Sequence, residues 1–249
     1  DIAWEEASRE GKTALSLDEW LDSPKKDFKS KMLRAVQKYG FKNVGVIVVP
    51  SMYLKNLLMK YYEVPEAKIH MIYNAFDYRS VQRKFGDRAF KLMTAGRFVP
   101  HKHIGMIIEA MTLLPDEYCL NIFGEGPEEK NLLSKVEELN LGARVKFRGQ
   151  ISHQELSKEM EKHDMFVLYS SYEGLPHVVL EAFAARCPVV ASDISGTREV
   201  AINGKTAMLA EGGNPKRLAE AVRNLSWDRK KRERFSMEAV KLLKSEFSW

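Results

Sequence analysis

Two stretches of this sequence place charges where a diphosphate could be held. The first is Gly96-Arg97-Phe98-Val99-Pro100-His101-Lys102, where a glycine permits a sharp turn and two cations stand five positions apart. A guanidinium is a planar fork suited to phosphate oxygens, and an ammonium is a compact point charge. Together Arg97 and Lys102 could neutralise a diphosphate without a metal; alone, the loop also reads as two solvated surface cations. The second stretch is Ser170-Ser171-Tyr172-Glu173-Gly174-Leu175-Pro176, which enters a helix expected over residues 176–185 with Pro176 in its first turn. A helix N-terminus offers unpaired N–H groups and positive dipole charge, and Gly174 lets a ligand approach the backbone. Glu173 precedes that helix and Glu181 lies about two turns inside it, roughly 12 Å away along the axis at ~1.5 Å per residue. That separation matches the hexose and ribose of a nucleotide sugar, with the diphosphate between them. A carboxylate only accepts hydrogen bonds, so it suits a vicinal diol. Taken singly, Glu173 also reads as a helix-dipole cap and Glu181 as a solvated helix face. Phe123-Gly124-Glu125-Gly126-Pro127 is a tight turn or the border of a nucleotide site.

The elements that must position these groups follow from periodicity. From about residue 44, short β-branched runs alternate with helix-period segments. Strands are expected at 44–49, 69–73, 91–95, 118–123, 144–147, 165–169, 188–191 and 207–209. Several are apolar throughout, as parallel strands covered on both faces are. Helical faces are expected at Ile104, Ile107, Ile108 and Met111, and at Leu132, Val136 and Leu139 before a C-cap at Gly142. A third follows the Asn214-Pro215 start, with Leu218, Ala221, Val222 and Leu225 inward. This alternation predicts an α/β fold with a doubly wound parallel sheet, in which ligands sit beyond the carboxyl ends of the strands. The first ~43 residues differ. There Lys25, Lys26, Lys29, Lys31, Arg34, Lys38 and Lys42 surround an apolar stripe of Phe28, Met32, Val36 and Tyr39. The stripe packs on a domain, or it meets anionic lipid or an acidic partner.

Composition bounds the rest. With 249 residues, 45% hydrophobic and 29% charged, a packed core is feasible, and a net charge of +5 does not announce a nucleic-acid binder. Cys119 and Cys187 lie in distant apolar runs, which reads as reduced, buried thiols of a cytosolic-type protein rather than a disulfide framework or a metal quartet. No apolar run approaches the ~18 residues of a membrane span. The chain opens Asp1-Ile2-Ala3-Trp4 without Met or a signal pattern, which reads as a piece of a longer polypeptide. His101 and His103 flank Lys102 with no partner group in sequence, so zinc is not expected there. His177 touches a phosphate or plays a surface or capping role, and Tyr172 stacks in the cleft or packs. The run 229–234 reads as a solvated helix start.

In order, the chain carries Val49-Pro50-Ser51, Ile72-Tyr73-Asn74-Ala75-Phe76-Asp77, Ala95-Gly96-Arg97 with Lys102, and Phe123-Gly124-Glu125-Gly126-Pro127. Val145-Lys146-Phe147-Arg148-Gly149, Ser170 to Pro176 with Glu181-Ala182, and Pro188-Val189-Val190-Ala191-Ser192-Asp193 complete the series. This resembles the retaining, nucleotide-sugar-dependent glycosyltransferases of the GT-B fold, called family 4 or group 1, over nearly the whole chain, including Ala3-Trp4-Glu5 and Ser16-Leu17-Asp18-Glu19. The resemblance implies that residues 1–70 are the last part of an N-terminal, acceptor-side domain and linker. Residues 71–249 would be the Rossmann-like, nucleotide-sugar-binding domain. It implies that Arg97 and Lys102 bind the donor diphosphate and stabilise the leaving group, and that Glu173 contacts the transferred sugar. Glu181 would contact the ribose, while Gly174 and Leu175 offer backbone N–H groups. Gly96, Gly124, Gly126 and Pro176 would border the donor. It implies metal-independent transfer with retention and no cofactor besides the donor. The expected partners are a nucleotide sugar and an acceptor glycan or lipid-linked sugar. An acceptor domain in the same or another chain is also expected, with no nucleic acid. The expected location is cytoplasmic or peripheral at the inner face of a membrane. A donor-binding subunit without transfer activity is the alternative, and an epimerase or phosphorylase a third. Ala75, His103, Arg186 and Ala207 stand where family members carry glycine, and the usual C-terminal crossover helix reads as cut short at Phe247-Ser248-Trp249.

Overall fold

Serine, aspartate and asparagine caps open helices at the places their sequence contexts demand. In the computed structural model, which describes residues 2–13, 15–76, 81–88 and 90–248, the chain divides into two units, Asp1–Asn74 and Ala75–Trp249. Asp1, Asp77 and Trp249, quoted in the motifs above, lie outside the described residues.

The first unit holds α1 (Ile2–Arg9), α2 (Leu17–Asp22), α3 (Phe28–Asn43), β1 (Ile47–Val49), α4 (Met52–Tyr62) and β2 (Ile69–Met71). Ser16 and Glu19 form a reciprocal capping box on α2, while Asp27 and Ser51 cap α3 and α4 through their side-chain oxygens. Trp4, Leu17, Trp20 and Tyr62 are buried, and the Trp4 indole donates to the Leu15 carbonyl at 3.1 Å. β1 and β2 pair in parallel from Ile47↔Ile69 to Val49↔Met71. That pairing keeps β2 in the first unit, which runs through Asn74. The apolar stripe of α3 is not packed within the described residues of this unit: Phe28 is 82% exposed and Tyr39 72%. The helix instead turns Ser30 inward, and Lys29 pairs with Glu6 at 2.7 Å. No helix among the described residues is long and apolar enough to cross a membrane.

The second unit runs β3 (Lys91–Ala95), α5 (Ile104–Met111), β4 (Cys119–Phe123), α6 (Glu129–Glu138), β5 (Val145–Phe147), α7 (His153–Lys162) and β6 (Met165–Leu168). It continues with α8 (His177–Ala184), β7 (Val189–Ser192), α9 (Ser195–Val200), β8 (Met208–Ala210), α10 (Pro215–Ser226) and α11 (Arg229–Glu246). Six parallel strands stand in the order β5-β4-β3-β6-β7-β8. Counted within the unit this is 3-2-1-4-5-6, the doubly wound order whose ligand crevice opens where the winding reverses. Here the reversal lies between β3 and β6. All residues of β6 and β7 are buried, as expected of strands covered on both faces. Asn214 caps α10 with Pro215 in its first turn. The end of α11 returns to the start of the unit, where the Phe76 N–H donates to the Phe247 carbonyl at 2.6 Å.

Helix α6 ends differently from the sequence expectation. Asn140, at φ 54°, takes the left-handed position assigned above to Gly142, and Leu141 N–H closes onto the Val136 carbonyl at 2.9 Å. Asparagine tolerates that region because its short polar side chain can bond locally.

Candidate functional site

The site is built where strands end. Beyond β3 the chain forms a short 3-10 turn over Pro100–Lys102, and beyond β4 it turns through Gly124 and Gly126. These two loops are zipped together: Gly96 N–H donates to the Phe123 carbonyl at 3.0 Å, and Phe98 N–H to that of Glu125 at 2.8 Å. A Cβ at position 124 would stand 2.0 Å from the Gly96 oxygen, and one at 126 would stand 2.5 Å from that of Phe98. The glycines are therefore required by contact between two main chains, beyond any role toward a ligand. They border a cleft of about 650 Å³ whose lining includes Gly96, Arg97, Gly124, Gly126, Ile151 and His153. Arg97 is exposed in it.

A second cluster bridges the reversal point. Lys102 Nζ donates to Glu173 Oε1 at 2.7 Å, and Ser170 Oγ donates to the same oxygen at 2.6 Å. Glu173 is 8% exposed and Ser170 fully buried. Ser170 is itself held, since the Ser192 hydroxyl at the end of β7 donates to its carbonyl at 2.6 Å. Ser171 N–H reaches back to the His101 carbonyl at 2.8 Å, so the loops after β3 and β6 are joined by backbone as well as by charge. Gly196 at the start of α9 abuts this cluster, and a Cβ there would lie 1.8 Å from the Glu173 carbonyl oxygen. Glu173 is thus a buried, paired carboxylate, which the bare capping alternative did not anticipate.

Helix α8 starts at His177, one residue later than expected, with Pro176 at the N-cap and no side chain capping its first turn. Leu175 and Pro176 are buried, so only backbone is offered there, and a proline has no N–H to give. Glu181 is 8% exposed, so it is not the solvated helix face of the bland alternative. A carboxylate only accepts, so His153 Nδ1 must donate to Glu181 Oε1, 2.8 Å away. His153 links Glu181 to the cleft that Arg97 lines, whereas Lys102 and Glu173 belong to the neighbouring cluster.

Sequence reasoning did not single out His153, Ser170 or Gly196 for the site. Ser170 stood within the quoted motif without a role, and His153 follows the β5 loop inside a capping box formed by Ser152 and Glu155. The field around the β3 loop is positive. Burial pushes the His101 imidazole down to about 4, helped by the charges of Lys102, His103 and Arg97. Burial also lowers His103. That residue sits at φ 47° directly before α5, and Arg186 at φ 54° just past the C-cap Ala185 of α8, while Ala75 and Ala207 are free of left-handed strain.

Comparison with known proteins fits this geometry. The family model for glycosyl transferases group 1 matches residues 77–242, and that for glycosyltransferase family 4 matches residues 13–79. An uncharacterized glycosyltransferase of Methanocaldococcus jannaschii is 30% identical over 212 residues, covering 85% of this chain and 58% of that protein. An N-acetylgalactosamine-N,N'-diacetylbacillosaminyl-diphospho-undecaprenol 4-alpha-N-acetylgalactosaminyltransferase of Campylobacter jejuni is 29% identical over 187 residues, covering 73% and 51%. The chain spans about half the length of these relatives. Among solved structures, HepE of Anabaena in complex with UDP and glucose superposes with a TM-score of 0.79 at 21% identity, over 88% of this chain and 63% of that one. That likeness gives the fold, the GT-B arrangement of glycosyltransferases.

Proposed function

Because the chain belongs to the glycosyl transferases group 1 family, we propose that it is the donor-binding part of an enzyme that transfers a sugar from a nucleotide-diphosphate sugar to an acceptor hydroxyl, with retention and without a metal. The observation that carries this reading is the Lys102–Glu173 pair at the winding reversal, followed on α8 by the buried carboxylate of Glu181. In this reading Arg97, Lys102 and the first turn of α8 receive the diphosphate and stabilise its charge as it departs. Both bonds to Glu173 fall on Oε1, so its second oxygen can accept a hydroxyl of the transferred sugar. Glu181 takes the ribose diol. The UDP held by HepE, which shares this fold, supports a nucleotide as the ligand. The diphospho-undecaprenol in the name of the Campylobacter relative supports a lipid-linked sugar as acceptor.

The test is calorimetry of the chain with UDP, GDP and ADP at millimolar concentration in EDTA. Binding of at least one is expected. Arg97→Glu should abolish it, and Glu181→Ala should weaken it about tenfold, the worth of a hydrogen bond to a charged group. No binding of any of the three overturns the reading. For retention, NMR of the product should show an α-linkage from an α-configured donor.

A second reading, donor binding without transfer by this chain alone, is favoured by the first unit. Its two-stranded parallel sheet leaves Val46, Val48 and Ile72 at least 60% exposed, whereas parallel sheets are ordinarily covered on both faces. Donor binding without sugar release to any offered acceptor would support it.

A further inference from the structure

We propose that His153 is a further donor-positioning residue, which grips the carboxylate of Glu181 when protonated and yields it to the nucleoside when neutral. This rests on the reading of Glu181 as the ribose ligand. The pair is asymmetric: the His153 side chain is 91% exposed and that of Glu181 10%. The imidazole can swing away at little cost, while the carboxylate is fixed in α8. The backbone of His153 is set by the Ser152–Glu155 capping box, so only the ring moves. In this structure the ring occupies Oε1, one of the two oxygens that a vicinal diol would use. It also lines the cleft that Arg97 enters, so its displacement changes the room for a ligand.

The charges that share this cleft are Arg97 from the β3 loop and Glu125 and Glu129 from the β4 loop and α6. On α8, Glu181 faces the ring, and His177 is exposed one turn earlier. On α7, Glu155 is occupied by the N–H and O–H of Ser152, which hold it in its charged form, so it is not an alternative partner. Histidine is the side chain that ordinarily changes charge between about pH 5 and 8. The proton turns a hydrogen bond from a neutral ring to a carboxylate into one between opposite charges, which strengthens it. Acid therefore tightens the grip on Glu181 against the incoming ribose.

The experiment uses whichever of UDP, GDP or ADP binds best, titrated in EDTA at about pH 8 and about pH 5.5, either side of the imidazole range. Wild type, His153→Ala and His153→Gln are compared, with inorganic pyrophosphate in parallel. A terminal phosphate itself titrates near pH ~6, so the acid effect is read as a difference between proteins. Acidification should weaken nucleotide binding to wild type roughly three- to fivefold more than to either variant, the size of a partly exposed ion pair. Pyrophosphate should show no such difference. An equal pH response in all three proteins overturns the proposal, as does a loss in the variants that is the same at both pH values. If neither nucleotide nor pyrophosphate binds any of the three while their circular dichroism is unchanged, the donor reading itself falls and this inference with it. Nucleotide binding with no variant effect removes the inference alone.

Discussion

At the scale of single residues, four described side chains occupy backbone positions that suit glycine, and at two of them the family resemblance calls for glycine. His103 and Arg186 both sit at positive φ, which costs ~1 kcal/mol or more for a residue with a Cβ. They differ in what they receive in return. Arg186 donates through Nε to the buried Ser236 hydroxyl at 3.2 Å, tying the end of α8 to α11. His103 has a buried Nδ1 with no hydrogen-bond partner. His103→Gly is therefore expected to stabilise the chain by ~1 kcal/mol in urea unfolding, whereas Arg186→Gly should be close to neutral. Both departures were legible in the sequence, because their places in known motifs called for glycine. The burial of Glu181 was not legible, since nothing local distinguishes a helix-face carboxylate that meets solvent from one that meets another helix's histidine.

The same histidines set a pH dependence. His101, His103 and His163 all have imidazoles lowered chiefly by burial. The unfolded chain takes up protons near pH ~6.5 while the folded one resists, so the unfolded state binds more protons in that window. Stability contributed by the neutral rings is then fully present above about pH 6.5 and is lost as the pH falls toward the folded value, which for His101 is about 4. The urea midpoint should fall between neutral pH and pH ~4.5, and His101→Gln should flatten the slope. An unchanged slope in that variant would sink the assignment.

At the scale of elements, helix starts were written in the sequence and helix ends were not. Ser152, Asn214 and Asp228 cap α7, α10 and α11 from the adjacent residue. Two of the carboxyl ends, those of α10 and α7, are held by arginine side chains from outside the helix. Buried Arg232 of α11 donates to the last carbonyls of α10, those of Leu225 at 2.9 Å and Ser226, and to Gly86 at 2.6 Å. Arg83 donates likewise to the Met160 carbonyl at 2.9 Å and to that of His163, just past α7. The run 229–234 read as a solvated start is therefore solvated only in part, because helical period turns its fourth residue to the core. Arg232→Met should destabilise by about 2–4 kcal/mol in urea unfolding, since it strands the carbonyls of buried Leu225 and Ser226 together. The apolar stripe of α3 shows the opposite limit of pattern reading. Periodicity identified its face, and only tertiary structure shows that the face is open within its unit.

At the scale of the molecule, alternation of strand and helix was enough to give the doubly wound sheet, because right-handed crossovers leave few ways to arrange it. Which loops would meet followed from that order, and the meeting of residues 102 and 173 follows in turn. The sheet's two halves join along a short ladder: β3 matches β6 only at Leu92↔Met165 and Met93↔Phe166, while β3 and β4 share five pairs from Lys91↔Cys119 to Ala95↔Phe123. Short pairing lowers the cost of local opening. Lys102→Met should accordingly speed hydrogen exchange in residues 169–174 while leaving the β3–β4 amides unchanged. Uniform exchange across both would contradict this.

The ammonium that fastens this join is the same one proposed to meet the donor's phosphates. It carries three N–H groups, so a phosphate can share it while the Ser171–His101 backbone bond keeps the two loops together. On the proposed reading an intact donor brings a hydroxyl of the transferred sugar to the second oxygen of Glu173, whereas a spent nucleotide brings only its ribose, which that reading gives to Glu181. On this arrangement the spent carrier is the poorer guest.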